Sequence, residues 1–287
     1  MKAKVWLAQV APALGDVKKN LDLHLRKVEE ARREKVELLV FPELSLSGYL
    51  LKDLVPDVSL RLDSPEVASL MRASKEVAIV AGLVEEAEDH RFFNSALFLQ
   101  GGDIKHLHRK VYLPTYGMFE EMRYFAWGDT IRAFDSIFGR MALLICEDLW
   151  HPSLPYLAAM DGATTLIALH NSPVRGVTPE GRPANLSLAE DICRLTAALF
   201  GAYVLSVNRV GCEDGVTFSG GSLAVGPDGR VEARAKLLEE ELLSCELDES
   251  AVRRARIAFP LLRDEKIEIA LKELHRIKDE RVLRDRF

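Results

Sequence analysis

The 287-residue chain has only four cysteines, Cys146, Cys193, Cys212 and Cys245, and none forms a CxxC pair. The seven histidines do not gather with them at metal-ligand spacing, which argues against a structural zinc site. No apolar run reaches the roughly 18 residues of a membrane span. The first residues carry two lysines and an Ala11-Pro12-Ala13 triplet, but Gln9 interrupts a short apolar patch, so no secretion signal is expected. Reduced thiols in a cytoplasmic setting are the expectation. No basic block is longer than Arg253-Arg254 with Arg256, and the net charge is −6, so neither nucleic acid nor an anionic membrane is an expected partner. Gln9 and Gln100 are the only glutamines among abundant Arg and Glu, as in thermophile proteins that avoid labile amides. Low-complexity linkers, short-period repeats and breaks in composition are also lacking.

What is present is a chain that is 48% apolar and long enough for one large domain. Lys4–Val10 and Val36–Phe41 read as strands. Between them Val17, Leu21, Leu25, Val28 and Ala31 fall at helical spacing after an Asp16 cap. Ser64-Pro65-Glu66 opens another helix, with Val77–Val84 as the next strand. Phe92–Leu99 and Asp103–His108 pair as a hairpin across Gln100-Gly101-Gly102. Strands follow at Ile131–Phe134, Arg140–Ile145 and Thr164–Leu169, with a helix at Pro152–Met160. Pro183–Phe200 is a long helix, and Tyr203–Asn208, Leu223–Val225, Arg230–Ala235 and Leu242–Leu247 are strands. Leu237–Leu243 reads equally as helix, and Asp248 onward is helical and charged. Strand and helix alternate, which predicts an α/β layered fold. We expect one domain over 1–262 and a helical tail over 263–287. The tail's Ile267, Ile269, Leu271, Leu274, Ile277 and Leu283 suit either a partner surface or a solvated helix.

Three stretches carry chemistry. In Met141–Trp150 an apolar run enters Cys146 directly, so a thiol ends a buried strand, where ligands collect in α/β sheets. Leu38–Phe41 delivers Glu43 in the same way. A carboxylate beside a thiol can serve as general base. Lys110 follows the strand of His106 and His108. Its ammonium would lower a nearby thiol's pKa and stabilise an oxyanion. Such a lysine reads as functional and not structural, so its removal is expected to spare the fold. Taken singly, the three read as a core thiol, a turn acid and a solvated lysine. His106 and His108 share a strand face but lack a third ligand for a metal.

Together the three stretches resemble the nitrilase superfamily of carbon–nitrogen hydrolases. Phe41-Pro42-Glu43-Leu44-Ser45-Leu46-Ser47-Gly48-Tyr49 is similar to its glutamate motif, Arg109-Lys110-Val111-Tyr112-Leu113-Pro114 to its lysine motif, and Ile145-Cys146-Glu147-Asp148-Leu149-Trp150 to its cysteine motif. Phe218–Ser222 followed by Gly226-Pro227-Asp228-Gly229 resembles a later family segment. The resemblance implies a four-layer αββα sandwich, usually a homodimer or higher homo-oligomer, with no metal or organic cofactor. It implies Cys146 as nucleophile, Glu43 as general base and Lys110 as oxyanion stabiliser. Glu121 would be a second glutamate that orients the lysine. Glu147 and Asp148 would raise the thiol pKa if they faced it, so one or both should turn away, or Glu147 should contact substrate.

Within the superfamily the chain looks most like the glutaminase domain of glutamine-dependent NAD synthetases. The supporting residues are Ser47-Gly48-Tyr49 with Lys52-Asp53-Leu54, Leu113–Glu121, Cys146–Trp150 and Asn171-Ser172-Pro173. That likeness implies substrate contacts at Tyr116, Glu147 and Ser172. Arg175 or Arg182 could hold a substrate carboxylate. No synthetase region accompanies these motifs, and Ser219–Ser222 lacks the helix and Asp of an ATP-binding loop, so a stand-alone amidase is expected. The substrate would be a small carboxamide, glutamine first, with ammonia passed to a separate synthetase. The alternatives are a hydrolase of N-carbamoyl compounds, omega-amides or nitriles and, outside enzymes, a non-catalytic binding module.

Overall fold

The computed structural model describes residues 2–176 and 183–284. Its strands are β1 (Lys2–Gln9), β2 (Leu38–Val40), β3 (Ala78–Glu86), β4 (Phe92–Gln100), β5 (Asp103–Arg109), β6 (Phe134–Ser136), β7 (Gly139–Ile145), β8 (Thr165–His170), β9 (Tyr203–Asn208), β10 (Val210–Glu213), β11 (Val216–Ser219), β12 (Leu223–Val225), β13 (Val231–Arg234) and β14 (Glu241–Asp248). The α-helices are α1 (Val17–Arg33), α2 (Val55–Val58), α3 (Pro65–Ala73), α4 (Glu121–Tyr124), α5 (Glu147–Trp150), α6 (Ser153–Met160), α7 (Ala184–Phe200), α8 (Glu249–Ala258), α9 (Leu261–Asp264) and α10 (Ile267–Arg284).

Local signals place most of these elements. Asp16 caps α1 by accepting from the Lys19 N–H, and Ser64 caps α3 by accepting from the Val67 N–H. Two six-stranded sheets form, in the orders β14-β1-β2-β3-β4-β5 and β13-β12-β9-β8-β7-β6. They share one plan. Three parallel strands lie at the centre of each, β1-β2-β3 and β7-β8-β9, with antiparallel strands on both sides.

Side-chain alternation along each strand makes the layers. Val5, Leu7, Val40 and Val80 of the first sheet meet Met141, Leu143, Ile167 and Leu205 of the second. The other face of the first sheet, through Trp6, Leu39 and Ile79, packs on Val28 and Ala31 of α1 and Val67 and Leu70 of α3. The outer face of the second, through Leu144, Leu166 and Val204, packs on Leu154 of α6 and Cys193 and Ala197 of α7. This is the expected αββα sandwich. No helix among the described residues is long and apolar enough to cross a membrane.

One local expectation is corrected, one open segment is resolved and one hairpin is new. The strand before β7 lies at Phe134–Ser136 and not at Ile131–Phe134, because Phe134 is the residue that pairs with Met141. The ambiguous segment ends in a strand, since Glu241–Asp248 pairs with all of β1. The β10–β11 hairpin carries little alternation and was not legible in the sequence.

Buried histidines make the fold sensitive to acid. His24 of α1 stacks on Phe41 at 3.9 Å, donates from Nδ1 to the Asn20 carbonyl and accepts at Nε2 from Ser45. Burial lowers its pKa to about 4, and the same cause lowers His106 and His170 to about 4. Above pH 6.5 these rings are neutral in both folded and unfolded chains. Between 6.5 and 4 only the unfolded chain takes up the protons, so stability falls as pH falls through that window. The buried His24 and His170 each contribute on the order of 3 kcal/mol to that loss, and the partly exposed His106 contributes less. We expect His24→Asn to lower stability at neutral pH and to remove about one proton from the uptake on unfolding. Urea midpoints measured from pH 7 to 5 for both proteins check this; parallel curves would refute it.

Candidate active site

The chain leaves β2 at Val40 and crosses β3 in a tight turn that carries Glu43. The Phe41 N–H donates to the Val80 carbonyl (2.8 Å), and the Leu46 N–H donates to the Gly82 carbonyl (3.1 Å). Leu44 sits at φ +45°. The turn fits because residue 82 is glycine. A Cβ there would lie 2.6 Å from the Pro42 carbonyl oxygen.

Lys110 follows β5 and is held in place by its backbone. Its N–H donates to the Asn94 carbonyl (2.9 Å), and its own carbonyl accepts from Gly128 (2.7 Å). The side chain is only 1% exposed and not solvated. Its Nζ donates to Glu43 Oε1 at 2.8 Å and to Glu121 Oε1 at 2.7 Å. The Tyr49 hydroxyl donates to the same Glu121 oxygen at 2.6 Å, and Asn94 Nδ2 donates to Glu43 Oε1 at 2.7 Å. Asn171 Nδ2, from beyond β8 in the other sheet, donates to the Glu43 carbonyl at 2.8 Å. Glu43 Oε2 is buried and has no hydrogen-bond partner among the described residues.

Cys146 is the corner between β7 and α5. Its backbone has φ +48° and ψ −97°, a strained conformation for any residue with a side chain. The neighbouring strand holds the corner, since the Cys146 N–H donates to the Leu169 carbonyl at 2.8 Å. Lys110, Glu43, Glu121 and Glu147 all act electrostatically on the thiol. Buried Glu43 and Lys110 and half-buried Cys146 therefore meet in one place, with Glu121 between Lys110 and Tyr49.

Their charges are coupled. Burial alone would lower the Lys110 pKa, but Glu121 and Glu43 outweigh it and hold the ammonium well above its usual value. Burial lifts the Glu121 carboxyl to about 7, with Lys110 opposing and Glu43 adding to the rise. Burial also pushes the Cys146 thiol well above its ordinary value, and Glu43 adds to that. Lys110 pulls the thiol down, as expected from sequence, but is outweighed. The resting group is a thiol and not a preformed thiolate.

The acids after Cys146 separate. Asp148 turns wholly inward, away from the thiol. Glu147 faces the site mouth, where Oε2 accepts from the half-exposed Tyr116 hydroxyl at 2.9 Å and His151 Nε2 lies 3.7 Å from Oε1. Ser172 is half-buried, with its N–H donating to Asn208 Oδ1 at 2.9 Å. Arg175 is exposed, its guanidinium 5.8 Å from the Tyr116 ring centre and 5.4 Å from that of Phe119. Among the described residues there, Glu147 supplies an anion and Arg175 a cation. Arg182 lies outside the described residues.

Other candidates resolve differently. His106 stacks on Phe134 at 4.3 Å and His108 pairs with Asp148, and no group of three metal-ligating side chains occurs among the described residues. The Ser219–Ser222 segment wraps Gln9. The Ser222 N–H donates to Gln9 Oε1 at 2.9 Å, and Gln9 Nε2 donates to the Lys236 and Glu239 carbonyls. All four cysteines are free. Sequence reading assigned no role to Asn94, Tyr49, Asn171 or Gly82. Of these only Tyr49 and Asn171 lay in the motifs quoted.

The family profile described as Carbon-nitrogen hydrolase matches residues 4–257. The chain belongs to the carbon–nitrogen hydrolase family. It is thus a hydrolase acting on carbon–nitrogen bonds. The chain is 32% identical over 252 residues to a glutamine-dependent NAD(+) synthetase of Thermotoga maritima, covering 86% of this chain and 42% of that one. It is 31% identical to an (R)-stereoselective amidase of a Pseudomonas species, covering 92% of each. A carbon-nitrogen hydrolase of Helicobacter pylori superposes with a TM-score of 0.86 at 26% identity, covering 96% and 99% of the two chains. The chain spans less than half the length of the first NAD(+) synthetases it matches.

Proposed function

We propose that this carbon–nitrogen hydrolase is a thiol amidohydrolase that releases ammonia from a small carboxamide, with glutamine as the first substrate to test. The observation that carries the reading is the buried Glu43–Lys110–Glu121 cluster beside the strained Cys146 corner.

Cys146 Sγ attacks the amide carbon while its proton passes to Glu43, whose Oε2 has no partner among the described residues. Because the thiol pKa is raised, this proton transfer accompanies attack. Lys110 stabilises the oxyanion. Glu43 then protonates the leaving nitrogen, the C–N bond breaks, and ammonia leaves a Cys146 thioester. A water that gives its proton to Glu43 attacks the thioester and frees the acid and the thiol. Glu121 acts through Lys110, with Tyr49 donating to the same carboxylate oxygen.

For the substrate, Glu147 with Tyr116 and Ser172, together with the Arg175 cation near the Tyr116 ring, suit a zwitterionic amino acid amide. Relatives named for glutamine dependence and for amide hydrolysis support amides, while a relative named as a probable nitrilase keeps nitriles in the comparison. The same names support a synthetase as the user of the ammonia. Cytoplasmic placement belongs to this reading, since a catalytic thiol must stay reduced. The test is ammonia release from a panel of amides, N-carbamoyl compounds and nitriles by the wild type and by Cys146→Ala. We expect glutamine to head the panel and Arg175→Ala to raise its KM about tenfold with kcat little changed. A nitrile or N-carbamoyl compound in first place would replace the substrate assignment.

The division into a 1–262 domain and a 263–287 tail is part of the proposal, as is self-association. Leu157 of α6, Leu188, Leu195 and Leu199 of α7, and Ile269, Leu271 and Leu274 of α10 are all exposed. A large apolar surface of this kind supports contact with a second copy. Sedimentation should show a dimer or larger species at micromolar concentration; a monomer there would count against it.

A further inference from the structure

Lys110 and Cys146 belong to different sheets. Lys110 follows β5, the edge strand of the first sheet, and Cys146 follows β7 of the second. Their separation therefore depends on how the sheets are held at this end, and one side chain bridges them. Asp148 is completely buried. Its Oδ1 accepts from the Val111 and Tyr112 N–H groups, both at 3.0 Å. Its Oδ2 accepts from the Ile145 N–H at 3.0 Å and lies 2.8 Å from His108 Nε2. The donors bracket both site residues, His108 and Val111 on either side of Lys110 and Ile145 just before Cys146.

We propose that Asp148 is a positioning residue that fixes the Lys110 ammonium relative to the Cys146 sulfur by clasping the ends of β5 and β7. It touches neither substrate nor the reacting atoms. Three of the four facing groups are backbone N–H donors, and His108 Nε2 joins them when it carries the ring proton, so a carboxylate satisfies all four. Asparagine has the same shape but presents one carbonyl oxygen and one NH2, so at least one backbone N–H would face another donor. The segments holding Lys110 and Cys146 would then move apart while each strand stays in its sheet.

The assignment rests on the roles proposed above, but its test does not need turnover. Alkylation by iodoacetamide at pH 8, followed residue by residue by mass spectrometry, reads the reactivity of Cys146 directly. Exposed Cys212 serves as the accessibility control and buried Cys193 as the control for loosening of the fold. In Asp148→Asn we expect Cys146 alkylation to slow about thirtyfold, with Cys212 unchanged and Cys193 still protected. The kcat for the preferred amide should fall in parallel and KM change less than about threefold. Cys146 reactivity within twofold of wild type in a folded variant would overturn the assignment. If Cys193 becomes labelled, His108→Met decides, since it removes one donor and leaves the three backbone bonds. A slower Cys146 with Cys193 protected then supports the clasp, and an unchanged Cys146 overturns it. A wild type that hydrolyses no amide would sink the proposed function, while the alkylation comparison would still decide the role of Asp148.

Discussion

Cys146→Ala is expected to lower amide turnover by at least about 10⁴-fold, because no other group among the described residues can form the acyl intermediate. The fold should survive. Alanine removes only the sulfur, the Cys146 N–H keeps its bond to Leu169, and the positive φ of residue 146 is already accommodated in the wild type. Circular dichroism and a thermal melt within a few degrees of wild type would establish that the loss is chemical. Mass spectrometry supplies the second measurement: an electrophilic amide analogue should add its mass to Cys146 in the wild type and nowhere in the variant. The raised thiol pKa adds a further consequence. Were the nucleophile a preformed thiolate, Glu43→Gln would leave adduct formation nearly unchanged. With a protonated thiol, Glu43→Gln should slow the first attack as well as the hydrolysis of the thioester. Persistent ammonia release by Cys146→Ala, free of contaminating amidase, would end the covalent mechanism.

Lys110→Ala should reduce turnover about 10³-fold through loss of the oxyanion donor. It should also destabilise the protein by roughly 3–5 kcal/mol, the usual consequence of leaving buried charge without its partner. Sequence reading treated this lysine as functional only and expected an undisturbed fold. The structure revises that expectation, since Nζ is buried between Glu43 and Glu121 and is their shared counter-charge. The direction with pH follows from Glu121. Its carboxyl is raised to about 7 in the folded protein, above its unfolded value, so the folded state holds the extra proton between the two. Removing the ammonium raises the folded value further. The stability deficit of Lys110→Ala should therefore be larger at pH 8 than at pH 6, where protonation relieves the unpaired Glu121 carboxylate. Urea melts at both values, set against wild type, give the comparison. An equal deficit at the two pH values would show that the carboxylates do not share the lysine as the geometry implies.

Much of the fold was legible locally because layer formation depends on short-range periodicity. Alternation in Lys4–Val10 decides which side chains enter the middle layer, and the helical spacing of Val17 to Ala31 decides which face of α1 covers the sheet. Caps at Asp16 and Ser64 and the turn at Gly101-Gly102 are one-residue decisions with local causes. The weak segments were those whose conformation is imposed by a distant partner. β14 is a strand because β1 needs a neighbour, and β10 with β11 is held by side chains such as Glu213, which accepts from the Tyr49 and Leu50 N–H groups.

The sequence by itself determined which residues could do the chemistry, because a carboxylate, an ammonium and a thiol each follow a strand and can be recognised from their flanks. It also determined the layered architecture, since period-2 and helical patterns are properties of neighbouring residues. Only the tertiary structure decided the state of those groups. Glu43 and Lys110 are 67 residues apart in the chain, and Asp148 meets three of its four donors 36 to 40 residues away. Local patterns specify which way a side chain faces but not which charge it will meet there. Burial and the pairing of distant carboxylates then set the protonation of Lys110, Glu121 and Cys146.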